Sequence, residues 1–339
     1  MKRSRSRKGA PGIIDVAARA NVSPATVSRF FNEPDVVKEP TRQRIRQAAD
    51  ELGYIRDRLA GALLSRFSGT IGLVVPTIDN AIFAELIQAF SARLQHHERT
   101  MLIASHGYDL GKEVPIVRSL LERRIDGVVL VGLDHERVPL NMLAQRGVPV
   151  ISVWNYRADS DIPCIGADNC KAGAMAAGKL VDGGYSDVMF LFPDTAHNDR
   201  ARDRLDGALG TFRHAGIDIP QCAIRNCPYD IGKAKQLTAE LLSSGPPRAI
   251  LCGNDIIAQG VIFAVAQAGL NVPGDIAVVG IGDFRSSEHM FPALTTVRVP
   301  ARRIGETAAD SIIGMSQTGA PPNPFRLEIP LELVDRGST

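Results

Sequence analysis

Six residues within one seven-residue window have the types and spacing to read a nucleic acid: Ser23, Pro24, Ala25, Thr26, Ser28 and Arg29. Hydroxyls can hydrogen-bond phosphates or base edges. Arginine can grip guanine or a phosphate through two parallel bonds, and an alanine methyl can touch a thymine methyl. A reading helix must enter a major groove about 12 Å wide, so small side chains at its front let the backbone approach the bases. Pro24 and Ala25 form that slim leading end, with Thr26, Ser28 and Arg29 behind. Phe30 and Phe31 lie toward the far end and are expected in a core rather than on DNA.

These residues need a scaffold, and the surrounding pattern supplies one. Ile13, Val16, Ala17 and Ala20 recur at i, i+3, i+4, i+7, which predicts a first helix over about 13–20. Ser23 is a good N-cap and Pro24 suits a first helical position, so a second helix runs over about 24–31. "NEPDVVKEP" reads as a loop. Thr41 is expected to cap a third helix over about 42–52, ended by Gly53. Helix, tight turn, helix is a DNA-reading arrangement. Charge agrees: residues 1–68 carry 14 Lys+Arg against 7 Asp+Glu, a net +7, whereas the remainder carries 25 against 30, a net −5. "DRLAGALLSR" (57–66) is a very short fourth helix, weakened by Gly61 and marginal without a partner.

From residue 70 apolar runs alternate with amphipathic helices. "TIGLVVP" (70–76), "TMLIAS" (100–105), "DGVVLVG" (126–132) and "VPVISVW" (148–154) are strands, separated by helices over about 81–96, 111–123 and 136–146. A second series follows: helix 170–182, strand 187–193, helix 199–215, strand 222–227, helix 230–243, strand 248–253, helix 255–268 and strand 276–282. Helix 301–314 and a last strand near 326–330 close the chain. Such alternation means parallel sheets covered on both faces, here two doubly wound lobes, with ligands at the carboxyl ends of the strands.

Several other chemistries are excluded. The five cysteines have no CxxC spacing, and the histidines no metal-ligand spacing such as HExxH, so no disulfide framework, zinc site or other metal is expected. No GxGxxG or P-loop occurs, nor a motif-spaced Ser/His/Asp set or carboxylate pair; no enzyme, cofactor or catalytic residue is expected. The basic start lacks an apolar h-region and no run of about 18 apolar residues exists, which favours the cytoplasm over export or a membrane.

The stretch "IIDVAARANVSPATVSRFFNEPDVVKEPTRQRIRQAADELGYI" resembles the DNA-binding head of the lactose-repressor (LacI/GalR) family of bacterial transcription regulators. The resemblance continues in order through "IGLVVPTIDNAIFAELIQAF", "RRIDGVVLVG", "RLDGALGTFRHAGI", "CGNDIIAQG", "DIAVVGIGDF" and "PALTTVRVP". It implies an all-α helix-turn-helix head and an α/β core like a periplasmic binding protein. The implied division is a head at 1–56, a hinge at 57–68 and an effector-binding and dimerisation core at 69–339. Within the core, one lobe takes about 69–168 and 299–325, and the other about 169–298 and 326–339.

By position, the resemblance puts Pro24 and Ala25 among base-reading side chains and Thr26, Ser28, Arg29 and Asn32 among base or backbone contacts. Ser23 matches a cap that also touches phosphate, and Tyr54 a Gly-Tyr pair closing the third helix. The marginal helix matches a hinge that folds on operator, with Ala60 facing DNA and Leu63 wedged into the minor groove, where an apolar side chain unstacks a base step. Arg56 departs from the proline common there. In the cleft the resemblance places Asn80, Phe83, Trp154, Arg204, Asn254, Asp255 and Asp283, with Phe83 or Trp154 offering a ring face to a sugar.

"VGIGDF" departs from the commoner "VGYDD", Gly282 standing for a carboxylate. With "VISVWN" it is more similar to the gluconate-repressor branch, and one carboxylate fewer lowers repulsion toward an anion. The implied partners are a pseudo-palindromic double-stranded operator, a sugar or sugar acid such as gluconate, and a second copy of the chain. The rival reading is the solute-binding protein of a sugar transporter.

Overall fold

The computed structural model describes residues 11–55, 67–79, 81–318 and 325–339. The chain divides into two compact units, Met1–Ser68 and Gly69–Thr339. No helix among the described residues is long and apolar enough to cross a membrane.

Among its described residues the first unit holds three α-helices: α1 (Ile13–Ala20), α2 (Pro24–Asn32) and α3 (Glu39–Leu52). Helix α1 starts where the Gly12 amide donates to Asp15 and ends at Asn21, whose short polar side chain tolerates the left-handed backbone (φ 53°). Helix α2 starts at Ser23, whose hydroxyl accepts from the Thr26 amide at 3.1 Å. Val16, Ala17, Ala20, Val27, Phe30 and Ile45 meet in a small apolar core. Phe31 and Tyr54 pack against it, their rings 5.8 Å apart. Arg19 and Glu51 pair across its surface. The third helix begins earlier than Thr41: Lys38 is its N-cap and the Thr41 amide already bonds the Lys38 carbonyl. Pro40 belongs to the first turn, where a missing N–H costs nothing. "PDV" (34–36) forms one 3₁₀ turn inside the expected loop.

The second unit contains two six-stranded sheets. The first orders its strands β2 (Thr100–Ser105), β1 (Thr70–Val75), β3 (Gly127–Val131), β4 (Val150–Asn155), β5 (Cys164–Ala167) and β11 (Arg326–Glu328), all parallel. The second orders β7 (Ile224–Asn226), β6 (Val188–Phe192), β8 (Ala249–Cys252), β9 (Ala277–Gly282), β10 (Thr295–Arg298) and β12 (Glu332–Val334). Only β12 runs antiparallel there. Their buried Val, Ile and Leu runs need cover on both faces, which the crossover helices give. Three of those helices matter below: α7 (Asn169–Asp182), α8 (Asp199–His214) and α10 (Asp255–Gln267).

The two sheets have one topology: the order reverses between β1 and β3 in the first and between β6 and β8 in the second. Ligand crevices open at such switch points, beyond the strands' carboxyl ends. Strands β5, β10 and β12 are shorter than the sequence pattern resolves. The expected last strand near 326–330 pairs with β5, so it belongs to the first lobe rather than the second. The return to the second lobe comes after it, with β12.

Candidate functional site

On α2 the exposed residues are Pro24, Ala25, Arg29 and Asn32, with Thr26 and Ser28 half-buried. Val27 and Phe30 turn inward. At 100° per residue, 25, 29 and 32 align on one face and 24 and 28 on the adjoining strip, so the polar surface is a single stripe. Hydroxyls of Ser23 and Thr26 are 2.8 Å apart, and Asn32 Nδ2 donates to Ser28 Oγ at 3.3 Å. Arg29 makes no ion pair with another described residue, so its guanidinium is available to a ligand. Tyr54 sits behind this stripe, packed on Phe31. Ala60 and Leu63 lie outside the described residues, as do Arg56, Gly61 and Asn80.

A cavity of about 1280 Å³ lies between the loops that follow the two switch points. The first lobe contributes Thr77, Asp79, Gly107 and Tyr108; the second contributes Pro193, His197, Asn198, Tyr229, Asp230 and Phe284. Tyr108 and Tyr229 face one another from opposite lobes, ring centroids 6.0 Å apart. Burial pushes the Tyr108 hydroxyl pKa up, so it stays a neutral donor and acceptor. These loop residues escaped the sequence reading because only topology brings them together.

Arg204 lies close to both tyrosines. It is 4% exposed and donates from Nε to Asn169 Oδ1 at 2.7 Å and from Nη1 to the Gly253 carbonyl at 3.0 Å. No carboxylate of a described residue lies within ion-pairing distance of it. Arg157, Arg200 and Arg202, on or beside the same helix, are each paired with an aspartate. A buried cation left with neutral acceptors is costly, and burial accordingly lowers the Arg204 pKa. Next to Gly253, Asn254 caps α10 with its Oδ1, accepting from the Ile257 amide at 3.1 Å. Its Nδ2 is buried with no hydrogen-bond partner. A guanidinium without a carboxylate partner and one unsatisfied amide donor thus sit at the second switch point.

Four of the expected effector residues stand elsewhere. Phe83 and Trp154 are 1% and 2% exposed and pack edge to face at 4.9 Å, so neither ring offers a face to the cavity. Tyr108, Tyr229 and Phe284 supply the aromatic surface instead. The Asp255 carboxylate accepts from Thr296 Oγ1 (2.6 Å), Ser287 Oγ (2.6 Å) and the Phe284 amide (3.1 Å), tying the loop after β9 to α10. Burial pushes its pKa up, and those three bonds pull part of the way back. Asp283 is held by Arg298 and Arg336, each at 2.7 Å.

Helices α7 and α8 fix Arg204 by near backbone contact. A Cβ built on Gly173 would lie 1.8 Å from the Arg204 carbonyl oxygen, and one on Gly207 would lie 1.9 Å from that of Cys170. Gly173→Ala must therefore push the helices apart. It is expected to destabilise the protein by about 1–3 kcal/mol through overpacking and to displace Arg204. Gly178, on the same helix with open space around it, is the control: Gly178→Ala should be stabilising by about 0.5–1 kcal/mol. Thermal unfolding of the two variants checks this; equal melting temperatures would contradict it.

Residues 12–57 match the family model described as bacterial regulatory proteins of the lacI family. Residues 68–335 match that of periplasmic binding proteins and the sugar binding domain of the LacI family. The chain is 29% identical over 333 residues to the HTH-type transcriptional regulator GntR of Pseudomonas aeruginosa, covering 98% of this chain and 96% of that one. It is 31% identical over 304 residues to the HTH-type transcriptional repressor PurR of Salmonella paratyphi B, covering 89% of each. The crystal structure of the lac repressor dimer bound to operator and the anti-inducer ONPF superposes with a TM-score of 0.84 at 26% identity, covering 97% of this chain and 99% of that one.

Proposed function

Because this chain belongs to the lacI family of bacterial regulatory proteins, it is a DNA-binding transcriptional regulator with an effector-binding core, and we propose that its effector is a carboxylate-bearing sugar derivative held at Arg204. The carrying observation is the buried guanidinium without a carboxylate partner, beside the unpaired Asn254 Nδ2. Both groups donate, and a carboxylate supplies acceptors for both. The hydroxyls of Tyr108 and Tyr229 and the exposed aspartates Asp79 and Asp230 suit the hydroxyls of the remaining chain. Gluconate combines both features. Titrating the full-length protein with D-gluconate, D-glucose and D-galactose should give saturable binding of gluconate alone. Binding of only a neutral sugar would overturn the assignment.

The α2 stripe reads one half of a pseudo-palindromic operator, with Ser23, Pro24, Ala25, Thr26, Ser28, Arg29 and Asn32 as its DNA-facing set. Tyr54 supports that set from behind. The segment 57–68 is the hinge, with Ala60 and Leu63 meeting the minor groove. Reading two half-sites requires a homodimer, which acts in the cytoplasm. Effector binding changes operator affinity through a coupling of about 1–3 kcal/mol, a factor of 5–150. Solute transport is disfavoured by the DNA-reading head.

A further inference from the structure

A line of buried side chains joins Arg204 to the strand ends of the first lobe. Arg204 Nε donates to Asn169 Oδ1 at 2.7 Å. Asn169 Nδ2 donates to Asn155 Oδ1 at 3.0 Å. Asn155 Nδ2 donates to Asp199 Oδ2 and Asp203 Oδ2, both at 2.8 Å. Asp199 Oδ2 also accepts from the Leu133 amide at 2.8 Å, just beyond β3. Asn155 and Asn169 are 0% and 1% exposed.

The line has one polarity. The two aspartates, each paired with an arginine, only accept. Asn155 must therefore turn its amide nitrogen toward them and its oxygen toward Asn169. Asn169 must answer with its nitrogen, which leaves its oxygen for Arg204. The guanidinium only donates, so the far end admits the same sense. Flipping either amide would place two acceptors or two donors in contact, at a cost comparable to losing the bonds.

Its location is equally specific. Asn155 ends β4 in the first lobe, and Asn169 opens the helix that follows β5, where the chain leaves that lobe. Trp154, just before Asn155, has a left-handed backbone (φ 79°), and its register partner is Gly166. A non-glycine residue is held in that region only when its surroundings over-determine it.

We propose that Asn155 and Asn169 are positioning residues, an amide relay that holds the Arg204 guanidinium and transmits its displacement to Asp199 and the first-lobe strand end at Leu133. The relay regulates the site assigned above and rests on that reading for its consequence, but its existence is testable without any effector.

Amide hydrogen exchange of the full-length protein, read at Leu133, decides it. Arg204→Lys keeps the charge but loses the planar fork. It should speed Leu133 exchange about tenfold, with helix Ile231–Ser243 as an unaffected reference. In an Asn169→Ala background Leu133 should already exchange fast, and adding Arg204→Lys should change it by less than about twofold. Asn155→Ala, cutting the line at its other amide, should behave alike and decides the matter if Asn169→Ala does not fold. Transmission along the α8 backbone instead would give the same acceleration in every background and overturn the proposal. So would an Arg204→Lys protein whose Leu133 exchange stays within about twofold of wild type. In a parallel arm, at gluconate concentrations that saturate each protein, the effect of gluconate on operator affinity should be about fivefold smaller in Asn155→Ala than in wild type. A wild type that ignores gluconate overturns the effector assignment, and the exchange result still decides the relay.

Discussion

Arg204→Ala is expected to abolish the response to gluconate, weakening its binding by about 30-fold to several thousand-fold. Removing one partner of a buried, hydrogen-bonded charge pair costs about 2–5 kcal/mol, and each 1.4 kcal/mol is tenfold. Arg204 is a buried cation without a carboxylate partner among the described residues, and in the proposed function the ligand's carboxylate takes that place. Truncation also strips Asn169 Oδ1 and the Gly253 carbonyl of their donor, costing roughly 1–3 kcal/mol of stability for each group left unsatisfied. Calorimetric titration and urea unfolding should thus both shift. Operator binding without effector should survive, because the head forms its own core. Retained gluconate affinity in a folded Arg204→Ala protein would remove Arg204 from the site.

The head supplies the second large effect. Arg29→Ala should weaken binding to the cognate operator by about 5- to 150-fold, the worth of one bidentate contact of about 1–3 kcal/mol. Arg29 is exposed on the outer face of α2, away from Val27 and Phe30, so its loss should leave the head folded. Where Arg29 reads a guanine, the loss falls on one base position and specificity relaxes there. Where it grips a phosphate, all sequences weaken alike and the salt slope falls by about one. A panel of operator variants at two salt concentrations separates the two. Unchanged affinity throughout would exclude Arg29 from the interface.

The sequence was most legible where local rules decide. The period of Ile13, Val16, Ala17 and Ala20, the Ser23-Pro24 cap and Gly53 place the head's helices almost to the residue. Thr41 misled because Pro40 reads as a breaker, although a proline in the first turn costs nothing. Strands Cys164–Ala167 and Thr295–Arg298 are four residues each, too short for a periodic signal; their sheet neighbours define them. Glu332–Val334 is shorter still.

Site residues divide the same way. The α2 stripe lies within one helix, so spacing alone reveals it. Arg204 and Asn254 were assigned to the cleft by the resemblance, but the missing carboxylate of the one and the unsatisfied amide of the other are tertiary facts. Phe83 and Trp154 were indistinguishable from cleft aromatics in sequence, because burial depends on what packs over a ring. Tyr108 and Tyr229 lie far apart in the chain and meet through the switch-point topology. For the amide relay one signal was available: Asn155 ends an otherwise apolar strand, "VISVWN", where an unpaired amide would be expensive. Its partner Asn169 follows from the β4–β5 register.

Asp199 shows why such a line can persist in a core. Burial pushes its carboxyl pKa up, but Arg200 and the bonds from Asn155 and Leu133 outweigh that and hold it below its ordinary value. A depressed folded-state pKa contributes stability that is present above the unfolded value of about 3.9 and lost as pH falls through the folded value. Near neutral pH the Asp199 carboxylate is therefore ionised.

In the proposed function the DNA-reading helix and the cleft are linked. The most direct measurement of that linkage is the affinity of the purified full-length protein for operator-containing genomic DNA, with and without saturating D-gluconate, at fixed salt. Specific binding is expected, with an affinity that changes 5- to 150-fold with gluconate and a change that Arg204→Ala abolishes. An operator affinity identical with and without gluconate, or a response undiminished in Arg204→Ala, would contradict it.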